Sequence, residues 1–332
     1  DLERRFGDSN MTARRVEFAA LEDTHEALFD RGWTDGLPVV PPTEARVTAM
    51  LQGTTRSPEE VVASVPPDLA PCTVEKVAIN AVMAGCRPEY LPVVLAGVEA
   101  VCTQAFNMHG LLATTMPHAP VLIVNGPIAE QIGMNSGNNV LGQGNRANST
   151  IGRAVQLVIR NVGGGRPGEV DRAAFGSPAK VGFCFAELEK NSPWSPISTM
   201  YGFSAGTNTV LAFPGEAPRN LVDQLSRDPD SLARTYATNL ISIQHPKLVL
   251  GFDAILAVAP DHSRVFREAG WSREQLAIRI NELTMRPGHE LVRGADNIPE
   301  GIPEGMETQN FPKFRENGLH IVHCGGAAGL FS

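Results

Sequence analysis

The stretch Val121–Gly165, VLIVNGPIAEQIGMNSGNNVLGQGNRANSTIGRAVQLVIRNVGGG, constrains the fold more than any other part of the chain. Val121 to Val124 is an unbroken apolar run and reads as a buried strand. Asn125-Gly126-Pro127 breaks it, and a segment dense in Gly and Asn follows. From about Ala147 to Arg160 the apolar residues return at helical spacing. Strand, polar glycine-rich loop and helix is the layout in which backbone N–H groups and a helix N-terminus face a ligand. Asn135, Ser136, Asn138, Asn139, Asn145 and Asn148 add amides and a hydroxyl that both donate and accept. A loop of this length in a compact domain is usually functional or disordered, so the active site is expected here. The competing reading is a turn-rich surface loop, since Asn and Gly are also the ordinary residues of left-handed backbone. The segment matches neither the Walker pattern nor the dinucleotide fingerprint, so nucleotide binding is not supported.

Elsewhere the sequence predicts further alternation of strands and helices. Apolar runs at 121–124, 181–185, 209–213, 248–258 and 319–322 are interleaved with helical patterns. The expected class is therefore α/β, a layered sheet with helices on its faces and with strand order unread. The expected division is an N-terminal helix and proline-rich arm over 1–60 and an α/β domain over 61–332, or one continuous domain over 1–332. Residues 1–30 read as helical, with Val16, Phe18, Leu21, Leu28 and Phe29 partly spaced for one face. GWTDGLPVVPPT at 32–43 is forced into an extended path by Pro41-Pro42. Such an arm needs a surface, either its own chain's or a neighbour's, which makes a homo- or hetero-oligomer an expectation. Asp35 within it reads as a turn residue, with an acid–base role as the alternative. Thr54–Ala70 reads as a connecting loop.

TVEKVAINAVMAG at 73–85 is apolar on nearly every side and predicts a buried helix, followed by a second over 88–102. Its polar residues are informative. Lys76 and Asn80 lie at i and i+4 on one face, and a buried lysine is costly unless paired or used. Lys76 is thus a candidate for holding a substrate anion or moving a proton, against the alternatives that it reaches the surface or pairs with a structural carboxylate. His109 and His118 are candidate general bases, and their spacing is not that of a helical zinc pair. KVGFCFAE at 180–187 alternates bulky with small residues, as a strand with one closely approached face does. Glu187 and Glu189 follow at its end, where catalytic groups often sit in open α/β sheets. Cys324-Gly325-Gly326-Ala327-Ala328-Gly329 forms a second strand-to-glycine-loop junction.

Composition excludes several classes. Hydrophobic content of 42% with 19% charged residues is that of a soluble globular protein. A net charge of −8 without a basic block argues against a nucleic-acid partner. No run of about 18 apolar residues is present to span a membrane, and Asp1–Arg15 lacks the apolar core of a secretory signal. The five cysteines are dispersed with no C-x-x-C pair, which fits a reducing compartment and a cytoplasmic location.

GWTDGLPVVPPT at 32–43, EKVAINAVMAGCRPEYLPVVLAGVEA at 75–100, VNGPIAEQIGMNSGNNVLGQGNRANSTIGRAVQLVIRNVGG at 124–164 and PDHSRVFREAGWS at 260–272 together resemble a poorly characterised bacterial family. That family is often encoded beside, or fused to, UGSC-motif (seleno)proteins. The Cys- or Sec-Gly-Ser-Cys signature itself is absent here. The resemblance implies a thiol- or selenol-bearing partner protein, with this chain as half of a two-component enzyme, and it implies no settled reaction or cofactor.

The function expected from these readings is an enzyme acting on a small polar or anionic metabolite, by acid–base or thiol-assisted chemistry of hydrolase or lyase type. Asn80, Asn135, Ser136, Asn145 and Asn148 would bind and polarise the substrate. Arg146 or Arg153 would neutralise its charge, and Lys76 or Glu187 would move the proton. Two alternatives stand: a non-catalytic scaffold or substrate-delivery subunit, and a metal-dependent enzyme using His109, His118 or His323 with Glu187.

Overall fold

In the computed structural model, residues 11–19 and 23–332 are described. The chain divides into two compact units, each assembled from separate stretches: Asp1–Asn135, Leu141–Ala186 and Gly206–Ala217 form one, and Ser136–Val140, Glu187–Ala205 and Pro218–Ser332 the other. Helices pack against small mixed and antiparallel sheets, the α/β class expected from the sequence.

In the first unit, α1 (Thr24–Asp30) and α2 (Glu44–Leu51) precede a hairpin of β1 (Val61–Val65) and β2 (Ala70–Thr73). Helices α3 (Val74–Ala84), α4 (Leu91–Val101) and α5 (Met108–Ala113) follow, then β3 (Ala119–Asn125), α6 (Pro127–Gln131), α7 (Arg146–Asn161), β4 (Cys184–Ala186) and β5 (Thr209–Gly215). Strand β3 is central, parallel to β4 and antiparallel to β5. All seven of its residues are buried, which is why its sequence is a continuous apolar run rather than an alternation. Helix α3 starts where the Thr73 hydroxyl accepts from the Lys76 N–H, and it stops at Gly85, whose φ of 90° suits glycine. Val77, Ala78 and Ala81 have no exposure and face α7 and the core. Fully burying a valine such as Val77 contributes ~1.5–3 kcal/mol.

Helix α7 crosses the chain entering β4 at backbone contact. A Cβ on Gly152 would lie 2.6 Å from the Phe183 nitrogen, and one on Gly182 would lie 2.5 Å from the Arg153 nitrogen. This is the close approach expected from the small residues of KVGFCFAE. Gly152→Ala is expected to destabilise the first unit by ~1–3 kcal/mol through overpacking, despite alanine's better helix propensity. Urea denaturation checks it, and an unchanged or raised midpoint contradicts this packing.

The proline-rich arm lies on its own unit. Val39 is 2% exposed, and the Val40 N–H donates to the Met83 carbonyl at 3.1 Å. Three expectations change. Residues 11–19 carry no helix, and only α1 is helical in the predicted 1–30 region, with 1–10 and 20–22 outside the described residues. Thr54–Ala70 is not all loop, because Val61-Val62-Ala63-Ser64-Val65 pairs with β2; its charged and proline-containing flanks hid a β-branched run. Only Cys184–Ala186 of 180–187 is strand, since Gly182 and Phe183 bend under α7.

The second unit contains α8 (Pro229–Leu240), β6 (Phe252–Val258), α9 (Pro260–Glu268), α10 (Arg273–Leu283), β7 (Arg286–Pro287), α11 (Gly288–Leu291), β8 (Asn310–Phe311) and β9 (Phe314–His323). Strands β6 and β9 run parallel, and β7 and β8 antiparallel. Its core centres on Tyr236 and Phe266, both unexposed, with Trp194 and Trp271 around Phe266. Two buried lysines close its loops. Lys247 Nζ donates to the carbonyls of Val292, Ala295 and Ile298, and Lys313 Nζ to those of Ile243, His245 and Leu248. Three acceptors use all three ammonium hydrogens, which is how these loops hold a charge at 2% exposure.

Candidate functional site

The first unit holds a pocket of about 210 Å³ whose walls come from six places in the chain. Helix α5 supplies Met108, Leu111 and Leu112, and the residues entering β3 supply His118, Ala119 and Pro120. Helix α7 supplies Gln156, Ile159 and Arg160. The loop after it brings Gly165, Pro167 and Asp171, the turn before β4 brings Lys180 and Val181, and the arm brings Asp35. Gln156 and Arg160 are four apart on α7, so they stack on one face while Ile151, Ala154, Val155 and Val158 fill the core.

The charges here are matched except one. Lys180 Nζ donates to both Asp171 oxygens at 2.9 Å. Asp35 is bound bidentately by Arg153, Nε to Oδ2 at 2.7 Å and Nη2 to Oδ1 at 2.8 Å. Burial works to raise the Asp35 pKa, but the Arg153 guanidinium outweighs it and holds the carboxyl below its ordinary 3.8. Arg160 has no hydrogen-bonding or ion-pairing partner among the described residues, and its Nε is out of solvent with no acceptor. One uncompensated positive charge therefore borders the pocket. Burial also lowers His118 below 6.5, with Glu216 pulling the other way and Lys180 adding to the fall. Its imidazole is thus unprotonated at neutral pH and able to accept a proton. An acceptor and a free guanidinium at one small pocket suit the binding and deprotonation of a small anion.

The residues assigned substrate-binding or proton-moving roles from the sequence lie elsewhere, and of those nine Asn80 alone borders this pocket or a second, larger one in the same unit. Lys76 is half-buried, with Nζ donating to the Pro71 carbonyl at 2.7 Å. Asn80 is 3% exposed, donates to the Lys76 carbonyl and accepts from Asn161. Asn145 caps α7 by accepting from the Asn148 N–H, and its amide donates to the Gly133 carbonyl. Asn148 clamps the backbone of Asn135 at both ends, N–H to Oδ1 at 3.0 Å and Nδ2 to carbonyl at 2.9 Å. Arg146 donates to the Gly85 carbonyl, and Arg153 to those of Leu37 and Pro38 besides Asp35. The asparagine-rich loop is thus largely tied to itself. Asp35 and His118, both weighed from the sequence, do meet at the pocket, whereas Arg160, Lys180 and Asp171 were missed. The available signal was the polar stripe Arg153–Gln156–Arg160 at i, i+3 and i+7 on one face of an amphipathic helix.

Ser136 and Glu187 belong to the second unit. The Ser136 carbonyl accepts from the Gly325 N–H at 2.9 Å, so that donor of the glycine loop at 324–329 is already engaged. Glu187 is sealed in: Oε2 accepts from the Ile197 N–H at 2.7 Å and Oε1 from Arg273 Nη2 at 3.1 Å. Nearby, Ser263 Oγ lies 3.1 Å from His323 Nε2, whose Nδ1 faces the Leu188 carbonyl at 2.8 Å. The pair has the atoms of a nucleophile and base, yet both side chains are 1% exposed, so no substrate reaches Oγ.

Burial raises all five thiols, Cys102 to about 11, Cys72, Cys86 and Cys324 to about 12, and Cys184 further still. Among the described residues, no three His, Cys, Asp or Glu side chains converge as metal ligands, and no helix is long and apolar enough to cross a membrane. No protein-family model, curated protein or solved structure matches this chain.

Proposed function

We propose that the chain is an enzyme acting on a small anionic metabolite by acid–base chemistry of the hydrolase or lyase class, with the 210 Å³ pocket as its site. The observation that carries this reading is that the Arg160 guanidinium, without a partner among the described residues, and an unprotonated His118 line the same pocket. A half-buried cation is costly without a counter-charge, and a bound carboxylate or phosphate supplies one. Arg160 receives the anion, His118 accepts the proton, and the Lys180–Asp171 pair borders the rest of the substrate. The pocket is smaller than the roughly 300–1,000 Å³ of drug-sized sites, which favours a compact metabolite. In this reading the proton moves through His118, not Lys76 or Glu187.

Thiolate, not thiol, is the reactive form, and thiols raised to about 11 and above supply almost none at neutral pH. The acid–base form of the chemistry is therefore favoured over a thiol step on this chain. A thiol or selenol step, where the resemblance to the UGSC-associated family holds, belongs to the partner protein.

Calorimetric titration with a panel of small mono- and dicarboxylates and inorganic phosphate tests the reading. At least one anion is expected to bind saturably. Protonating His118 adds positive charge beside the anion, so affinity is expected to rise as pH falls below 6.5 and to lose that dependence in His118→Gln. If nothing in the panel binds, or the pH response survives in His118→Gln, the pocket is not this site.

A further inference from the structure

A second pocket in the first unit, of about 660 Å³, is built for a different ligand. Leu28, Trp33, Val47, Ile79 and Met83 give it an apolar wall, and residues between Met11 and Phe18 close one side. Its volume lies in the roughly 300–1,000 Å³ range of sites that bury most of a drug-sized ligand.

The closing segment is an extended strap. Met11, Ala13, Val16 and Phe18 are half-buried, while Thr12, Arg14, Arg15 and Glu17 are exposed. One side chain fastens it: Glu75, 1% exposed in the first turn of α3. Its Oε2 accepts from the Thr12 N–H at 3.0 Å and the Thr12 hydroxyl at 2.8 Å, and its Oε1 from the Ala13 N–H at 3.0 Å. Three arginines and two carboxylates border the pocket; of the carboxylates, Glu75 is engaged by the strap and Glu44 by Arg15. Arg14, Arg15 and Arg46 lie along it. Among the described residues Arg15 pairs with Glu44 at 3.4 Å, and no carboxylate pairs with Arg14 or Arg46.

We propose that this pocket binds an amphipathic anion, a medium-chain carboxylate whose apolar body lies against Trp33 and Ile79 and whose head meets Arg14 and Arg46. Residues 11–18 are its cover, and Glu75 is the catch that holds the cover shut. The proposal is independent of the smaller pocket and its chemistry. A chain of methylenes fits an apolar wall, and a single carboxylate satisfies guanidinium groups that have no carboxylate partner among the described residues.

Titration of the full chain with dodecanoate, with dodecanol as its uncharged twin and acetate as the head group alone, reads the proposal. Dodecanoate is expected to bind saturably below its micellar concentration, at least tenfold more tightly than dodecanol, with acetate not binding here. The paired change Arg14→Gln with Arg46→Gln, on exposed positions, is expected to weaken dodecanoate tenfold or more. Ile79→Trp, which fills the pocket, is expected to abolish binding. Glu75→Gln is expected to speed tryptic cleavage after Arg14 and Arg15, with dodecanoate restoring protection. No dodecanoate binding by the unmodified chain, equal affinity for dodecanol, unchanged affinity in the double arginine variant, or unchanged cleavage in Glu75→Gln would each overturn it.

Discussion

Arg153→Met is expected to lower the stability of the first unit by ~3–5 kcal/mol, the range for breaking a buried ion pair by removing one partner. The side chains of Arg153 and Asp35 are only 15% and 12% exposed, so solvent does little to replace the lost guanidinium. The change strands the Asp35 carboxylate and also removes the donors to the carbonyls of Leu37 and Pro38, which fix the arm to α7. Asp35→Asn in the same background is expected to recover a substantial part of the loss, because a neutral amide is far less costly to leave unpaired. A double-mutant cycle by urea denaturation measures this coupling. Acid provides a second check. A carboxyl held below 3.8 contributes stability that is complete above the unfolded value and is lost as pH falls through the folded one. The acid loss of stability below about pH 4 is therefore expected to shrink in Arg153→Met. A variant as stable as the parent would mean that the arm is held by its apolar contacts alone.

Arg153 also marks where the sequence could be read and where it could not. Its position on an amphipathic helix after a glycine-rich loop was legible, and α7 begins and ends within a residue or so of the expected span. Its partner was not, because Asp35 lies 118 positions away and periodicity reports a face, never the residue opposite it. The same holds for Asn145 and Asn148, whose capping and clamping bonds use the donor and acceptor capacity that makes asparagine look like a ligand-binding residue. The buried helix expected over 73–85, found at 74–84, and the strand expected over 121–124, found at 119–125, were visible because continuous apolar runs have few alternatives. The pocket was not, because its polar groups come from five chain segments, and the local signals at Asp35, at His118 and along the Gln156–Arg160 stripe do not say that they face one another. The strap at 11–18 misled in the opposite sense. Its apolar residues fit a helix loosely, while the bonds that fix it extended come from Glu75, sixty positions and more downstream.

Arg160→Met is expected to weaken binding of the panel anion at least a hundredfold. A bidentate guanidinium–anion contact shielded from water is among the stronger single polar contacts, and no other unpaired cation borders the pocket among the described residues. Lys180 cannot substitute without giving up Asp171, whose two oxygens it already holds. Arg160→Lys is expected to recover charge but not the planar fork, and so to fall between the two. Stability separates this role from a structural one. A guanidinium with no partner among the described residues makes no polar contact to lose in the unliganded chain, so Arg160→Met is expected to leave the urea midpoint unchanged or raised, in contrast to Arg153→Met about two turns earlier on the same helix. Ligand then reverses the order: the anion is expected to raise the melting temperature of the unmodified chain and not that of Arg160→Met. A variant that loses stability without ligand, or that keeps full affinity for the anion, would show that Arg160 is packing against the walls of the pocket and receiving nothing.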